Sequence, residues 1–155
     1  MARGKPRLFT IGYEETPQTS VLDELEQAGV KLLVDVRAVA SSRRPGYSKS
    51  QLAAGLDGRG IAYIHLRGLG TPKEGRLAAR SGDHKTLTKI YNAHLKTPQA
   101  REDMDQLKSL IKTAGPICLL CYERDHEQCH RKFIADIVED DVGVTVKNLV
   151  APQFK

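Results

Sequence analysis

The sequence predicts an α/β fold: a single three-layer domain with a mainly parallel central sheet of about five strands and helices on both faces. Short apolar runs alternate with segments of helical period along the 155 residues, the pattern of βαβ units. The run Lys31-Leu32-Leu33-Val34-Asp35-Val36-Arg37 is apolar through its middle without a break, which suits a central parallel strand covered on both sides. Unusual polar residues gather where these runs end, and ligands of open α/β sheets bind at the carboxyl ends of the strands.

The elements follow in order. Leu8-Phe9-Thr10-Ile11 reads as a buried strand ending at Gly12, and Thr16-Pro17 supplies a helix cap and a first-turn proline. Val21, Leu22, Leu25 and Ala28 share one helical face, and Gly29 ends that helix. After the second strand comes a polar loop from Ala40 to Tyr47. Ser48 and Gln51 then form a capping-box pattern ahead of Leu52, Ala53 and Leu56. Ile61 to His65 is the third strand, and Leu69-Gly70-Thr71-Pro72 begins what reads as a long basic connection rich in Gly and Arg. Leu87, Ile90, Tyr91 and Leu95 mark one helix. Thr97-Pro98 opens another, with Met104, Leu107, Leu110 and Ile111 inward and Gly115-Pro116 beyond its end. Ile117 to Cys121 is the fourth strand, Phe133, Ile134, Ile137 and Val138 define the last helix, and Val144-Thr145-Val146 a short final strand. The expected sheet has the first strand at its centre between the second and fourth.

Composition bounds the rest. With 40% hydrophobic and 28% charged residues the chain is too apolar for a disordered one. One domain is expected over 8–150, with a flexible segment at 1–7 and a tail at 151–155. No apolar run is long enough to cross a bilayer, and the amino end lacks the apolar stretch of a signal peptide, so no membrane partner and a cytoplasmic location are expected. The three cysteines, Cys118, Cys121 and Cys129, are odd in number and read as thiols or ligands rather than a disulfide scaffold. The net charge of +5 is uneven: residues 41–90 hold ten Lys or Arg against Asp57, Glu74 and Asp83. Such an excess attracts phosphates, nucleotides or nucleic acid, although a solvated basic face also occurs in proteins that bind none of these.

If the strands are right, Gly12-Tyr13, Asp35 with Arg37, His65, and Cys121 with Glu123 emerge at one edge of the sheet. Asp35 and Arg37, two apart at a strand end, either pair or jointly hold a polar ligand. The loop Ser41-Ser42-Arg43-Arg44-Pro45-Gly46-Tyr47-Ser48-Lys49 combines hydroxyls, guanidiniums and a helix amino terminus, the parts of an anion site, without Walker spacing or a dinucleotide fingerprint. In Cys121-Tyr122-Glu123-Arg124-Asp125-His126-Glu127-Gln128-Cys129-His130-Arg131, a thiol beside His130 and Arg131 at a helix start can be held as thiolate for nucleophilic or redox work, or can simply pack. Cys118 and Cys121, three apart on a strand, point to opposite faces, which counts against a shared zinc; a site of Cys121, Cys129 and a histidine stays open, and no metal ligand is assigned. Tyr47 and Tyr63 sit at the same edge, where stacking on a ligand and ordinary packing read alike. His84 and His94 read as surface or packing residues.

Thr10-Ile11-Gly12-Tyr13, Leu33-Val34-Asp35-Val36-Arg37, Ser42-Arg43, Tyr47-Ser48-Lys49, Gly60-Ile61-Ala62-Tyr63, Leu69-Gly70, Leu119-Leu120-Cys121-Tyr122-Glu123 and Cys129-His130-Arg131 occur in that order. In this the chain resembles the DUF488 family of small proteins, from about Phe9 to Val146. The resemblance implies an α/β fold and marks the polar strand-end residues, and it implies no agreed reaction, cofactor or partner. The first turn departs from the family's glycine-rich form: it reads Gly12-Tyr13-Glu14-Glu15, whose two acids weaken anion binding at that corner.

Three functions remain as expectations. The leading one is an enzyme acting on a phosphorylated or nucleotide-like ligand, with Arg37, Arg43 and Arg131 holding negative charge, Glu123, Asp35 or His130 moving protons, and Cys121 or Cys129 as nucleophile. The second is a nucleic-acid-binding module using the basic stretch, and the third a metal-binding or redox-sensing protein centred on Cys121 and Cys129. The cofactor is unknown from sequence.

Overall fold

The computed structural model describes residues 7–125 and 129–153, so residues 1–6, which make up most of the expected amino-terminal segment, and 154–155 lie outside the described residues. Strand and helix alternate as β1 (Arg7–Gly12), α1 (Gln18–Gln27), β2 (Leu32–Asp35), α2 (Lys49–Asp57), β3 (Ala62–His65), a 3-10 turn (Arg67–Leu69), α3 (Lys73–Arg80), α4 (His84–His94), α5 (Pro98–Thr113), β4 (Ile117–Cys121), α6 (Arg131–Val142) and β5 (Thr145–Leu149). All pairings are parallel, in the order β3-β2-β4-β1-β5. The centre of the sheet is therefore β4, between β2 and β1, and not the first strand. β4 is also buried at every position, as a strand flanked on both edges and both faces must be.

Alternation across the sheet divides the core into two layers. Phe9, Ile11, Leu33, Cys118 and Leu120 face α1 and α2, packing on Val21, Leu22, Leu25, Leu52 and Leu56. Leu8, Leu32, Val34, Leu119 and Cys121 face the other way, onto Tyr91 of α4, Met104, Leu107 and Ile111 of α5, and Ile134 and Val138 of α6. Cys118 and Cys121 thus lie on opposite faces, as the strand period requires. Ala151, expected in the tail, is fully buried in the first of these layers.

Register brings the strand ends level. Gly12 pairs with Cys121, and Asp35 stands opposite both Leu120 and His65. With all strands parallel, Tyr13, Val36-Arg37, Leu66 and Tyr122 leave from one edge. No helix among the described residues is long and apolar enough to cross a membrane.

Three local expectations need correction: Thr16 does not cap α1, whose N-cap is Pro17 without a side-chain bond, and its hydroxyl donates to the Glu14 carbonyl instead (2.8 Å). The connection after Leu69 is not an extended loop, because Lys73–Arg80 forms α3, with Pro72 at its N-cap, Glu74 in its first turn and Arg80 in its last. These charges complement the helix dipole. Gly75, which makes the segment read as a loop, is buried where a side chain would collide with the buried Thr71 methyl and crowd Ile90 of α4. The capping box at α2 does not form either. Ser48 is the N-cap without a side-chain cap bond. Its hydroxyl accepts from Ser42 N–H (3.1 Å) and donates to the Ser42 carbonyl (3.2 Å), while Gln51 Oε1 accepts from Gly46 N–H (3.1 Å). Both side chains shape the preceding loop instead of the helix.

Candidate functional site

The end of β2 is a closed polar network. Asp35, fully buried, accepts two bonds from Arg37 Nε (2.9 and 3.1 Å), one from Arg37 Nη2 (2.7 Å), one from Arg37 N–H (3.1 Å) and one from the Tyr63 hydroxyl (2.6 Å). Arg37 spends its remaining donor group on the Tyr47 carbonyl (2.7 Å) and the Tyr13 hydroxyl (3.1 Å). Burial by itself lowers the pKa of this guanidinium, but the bonds and charge of Asp35 outweigh it and hold the group above its ordinary value. Burial, reinforced by Asp35, likewise pushes the Tyr63 hydroxyl up. His65 Nε2–H donates to the Arg37 carbonyl (2.7 Å), since only an N–H meets a carbonyl at that distance. Tyr13 stacks on Tyr47, with ring centroids 4.2 Å apart and planes at 16°. A buried carboxylate and guanidinium paired and bonded in this way make a rigid anchor for the loop that follows.

The end of β4 is built differently. Cys121 Sγ lies within bonding distance of Cys129 Sγ, as a disulfide, with the Cα atoms 7.3 Å apart, while Cys118 is free and buried. The sequence reads these cysteines as thiols or ligands; in this state Cys121 and Cys129 are joined. Arg131, fully buried at the start of α6, donates from Nη1 to Cys121 Sγ (3.0 Å) and to the Glu123 carbonyl, and from Nη2 to the Arg124 carbonyl (3.1 Å). Burial lowers its pKa to about 10. Glu123 Oε2 lies 3.8 Å from Cys121 Sγ, and burial raises the Glu123 carboxyl against the opposing pull of Arg131.

His130 Nε2–H donates to the Val36 carbonyl (2.7 Å) and Nδ1 lies 3.6 Å from Cys129 Sγ. Burial depresses its pKa to about 4 in spite of the bond to Val36, so the ring is neutral at pH 7 and Nδ1 presents a lone pair. Gly12 closes the corner: a Cβ there would collide with the Glu123 carbonyl, which is the oxygen that Arg131 holds. Glu14 is tied down by Arg124 N–H (3.1 Å).

Between the two strand ends a cavity of about 650 Å³ opens to solvent, lined by Arg37, Arg43, Arg44, Arg76 and Arg80, with Cys121, Glu123 and His130 among its deeper groups and Val39 and Tyr122 at its rim. Arg44 Nε is buried with no partner. Of the residues singled out in the sequence, Tyr13, Arg37, Ser42, Arg43, Cys121, Glu123 and His130 line this cavity. Asp35, Tyr47, Tyr63, His65, Cys129 and Arg131 stand behind it in the networks just described. Gly12 is a packing position, and Lys49, exposed at the start of α2, joins by its backbone N–H to Ala40 (2.8 Å). His126, Glu127 and Gln128 lie outside the described residues. Arg76 and Arg80 were missed. They sit four apart, on one face of α3, and reading that stretch as a loop hid the spacing.

A five-stranded parallel α/β sheet with an arginine-lined cavity at its carboxyl edge is the class that this geometry defines. The chain belongs to the DUF488 family: the family model, described as a domain of unknown function, matches residues 18–138. Comparison with curated proteins and with solved structures gave no match.

Proposed function

We propose that this chain is an enzyme that binds a phosphorylated or nucleotide-like small molecule in the cavity at the carboxyl edge of the sheet. The observation that carries this reading is the lining. Arg37 is neutralised by Asp35, but no ion pair joins Arg43, Arg44, Arg76 or Arg80 to a described carboxylate. Four guanidiniums sharing one concavity repel each other, and an anion with several oxygens relieves that repulsion while accepting their N–H groups two at a time. Tyr122 and Val39, 44% and 54% exposed, offer flat apolar surface at the rim for the uncharged part of such a ligand.

Glu123 is the group placed to move a proton there. Asp35 is saturated and does not line the cavity, and the Nε2 proton of His130 is committed to Val36. Arg131, expected to hold ligand charge, instead orders the loop that carries Glu123.

The test is a thermal-shift panel of phosphate, nucleotides and short oligonucleotides on wild type and on the Arg76→Ala/Arg80→Ala double variant. A ligand bound only by the folded state adds ~2.7 kcal/mol at a hundredfold excess over Kd, which raises Tm by several degrees in a chain of this size. Nucleotides or phosphate should give that rise in wild type, and the double variant should lose most of it. No rise with any member, or an equal rise in the variant, rejects the reading. A gain confined to oligonucleotides and falling steeply with salt replaces it by nucleic-acid binding through residues 41–90.

A further inference from the structure

Two sulfurs and one imidazole nitrogen meet at the back of the cavity: the ligand atoms of Cys121, Cys129 and His130 all lie within 4.8 Å of one another, and all three residues are buried. We propose that in the reduced chain these three side chains bind a soft divalent cation of the zinc class, with the fourth coordination position turned toward the cavity.

Three features of the surroundings argue for it. The tautomer of His130 is set, because Nε2–H donates to the Val36 carbonyl at 2.7 Å and leaves the Nδ1 lone pair on the side of Cys129. This is the arrangement by which metal-ligating histidines are held, the second nitrogen bonded to a carbonyl or carboxylate. The sulfurs have a charged donor already in place, with Arg131 Nη1 at 3.0 Å from Cys121 Sγ, which stabilises thiolate.

The spacing is the third feature. The two Cα atoms stand 7.3 Å apart, outside the ~4.4–6.8 Å usual for a directly bridged pair. A tetrahedral ion with metal–sulfur bonds of ~2.3 Å holds its two sulfurs ~3.8 Å apart and so accepts a wider backbone separation. Cys121 and His130 line the cavity, so an ion bound to them has its open side there, with Glu123 beside it.

The chemistry balances in two steps. A dithiol reductant closes to its own disulfide, giving two electrons and two protons to the Cys121–Cys129 bond, which opens to two thiols. The divalent cation then displaces the two thiol protons to solvent and takes the neutral His130 nitrogen without a proton change. Oxidation of the pair by a disulfide reverses both steps and releases the ion. The site is independent of the anion reading and survives its failure.

The measurement is titration of the reduced protein with Co²⁺ in place of zinc, followed by absorption. Tetrahedral thiolate ligation gives visible ligand-field bands and a sulfur-to-cobalt charge-transfer band, saturating at one ion per chain and lost when zinc is added. Cys121→Ser and Cys129→Ser should lose the charge-transfer intensity. Cys118→Ser, on the other face of the sheet, should keep it, and so should the Arg76→Ala/Arg80→Ala variant even if phosphate binding is gone. Oxidation of the pair before titration should abolish binding. Folded wild type that gives no charge-transfer band when reduced overturns the proposal without recourse to any variant, as does a band that Cys118→Ser removes and Cys121→Ser does not.

Discussion

At the scale of single residues, the site depends on groups whose partners lie far away in sequence. The pairing of Asp35 with Arg37 is local and readable from their spacing, but the Tyr63 hydroxyl on Asp35 comes from a neighbouring strand, and the Val36 carbonyl that fixes His130 is 94 residues away. The second of these makes a prediction about pH. His130 has a pKa near 4 when folded, against an ordinary 6.5, because burial disfavours the imidazolium. Between those two values the unfolded chain binds more protons, so this residue costs stability as pH falls from about 6.5 toward 4, with a slope approaching ~1.4 kcal/mol per unit. His130→Gln keeps an N–H near Val36 and cannot titrate. Urea unfolding of metal-free protein at intervals over this range should give a steeper fall for wild type than for the variant. Parallel curves would mean that the buried ring does not govern acid sensitivity.

Among the elements, the long helices were legible because their signals are local, and the short one was not. Thr97 caps α5 through its hydroxyl, which accepts from Ala100 N–H at 3.3 Å, and Pro98 occupies the first turn; both roles are written in the sequence. Thr97→Ala leaves that N–H without its partner and should lower unfolding free energy by ~1 kcal/mol, within the ~0.5–2 kcal/mol found for such caps. Denaturant melts giving no change would show that water caps α5 equally well. α3 escaped notice for the opposite reason. Its glycine is dictated chiefly by the buried Thr71 methyl, with Ile90 of α4 close by, and its inward face carries only small residues, Gly75 and Ala78, too slight a stripe to mark eight residues whose other face is basic. Read as a loop, this stretch gives Arg76 and Arg80 no common face, so the sequence alone does not reveal the arginine-rich side of the cavity. At α2 the error ran the other way, since Ser48 and Gln51 have the spacing of a cap but find better partners in the loop before them.

For the whole molecule, strand alternation predicted a parallel sheet with its polar residues at one edge, and that much needs only the period of the strands and the rule for crossovers. The order of strands was misjudged, because adjacency depends on which connections cross the sheet, and apolar runs carry no record of that. Placing β4 at the centre has a mechanical consequence. Its amides and carbonyls are bonded to β1 on one side and β2 on the other, and both of its faces are in the core. β3 and β5 pair on one edge only and carry exposed or half-buried residues along their length. Opening an edge strand uncovers less apolar surface than opening the centre, so its local opening free energy is lower. Hydrogen exchange under native conditions should therefore find the Leu119 and Leu120 amides among the slowest, near the global unfolding limit, with the bonded amides of β3 and β5 at least ~10-fold faster. That ordering also bears on the site. Cys121 ends the slowest strand and is joined directly to the loop that carries Glu123, so the back of the cavity is fixed to the part of the molecule that opens last, while the arginine side rests on α3 and the loop after β2. If β3 exchanged as slowly as β4, the sheet would open as one unit and this division between a fixed back and a movable arginine wall would have no basis.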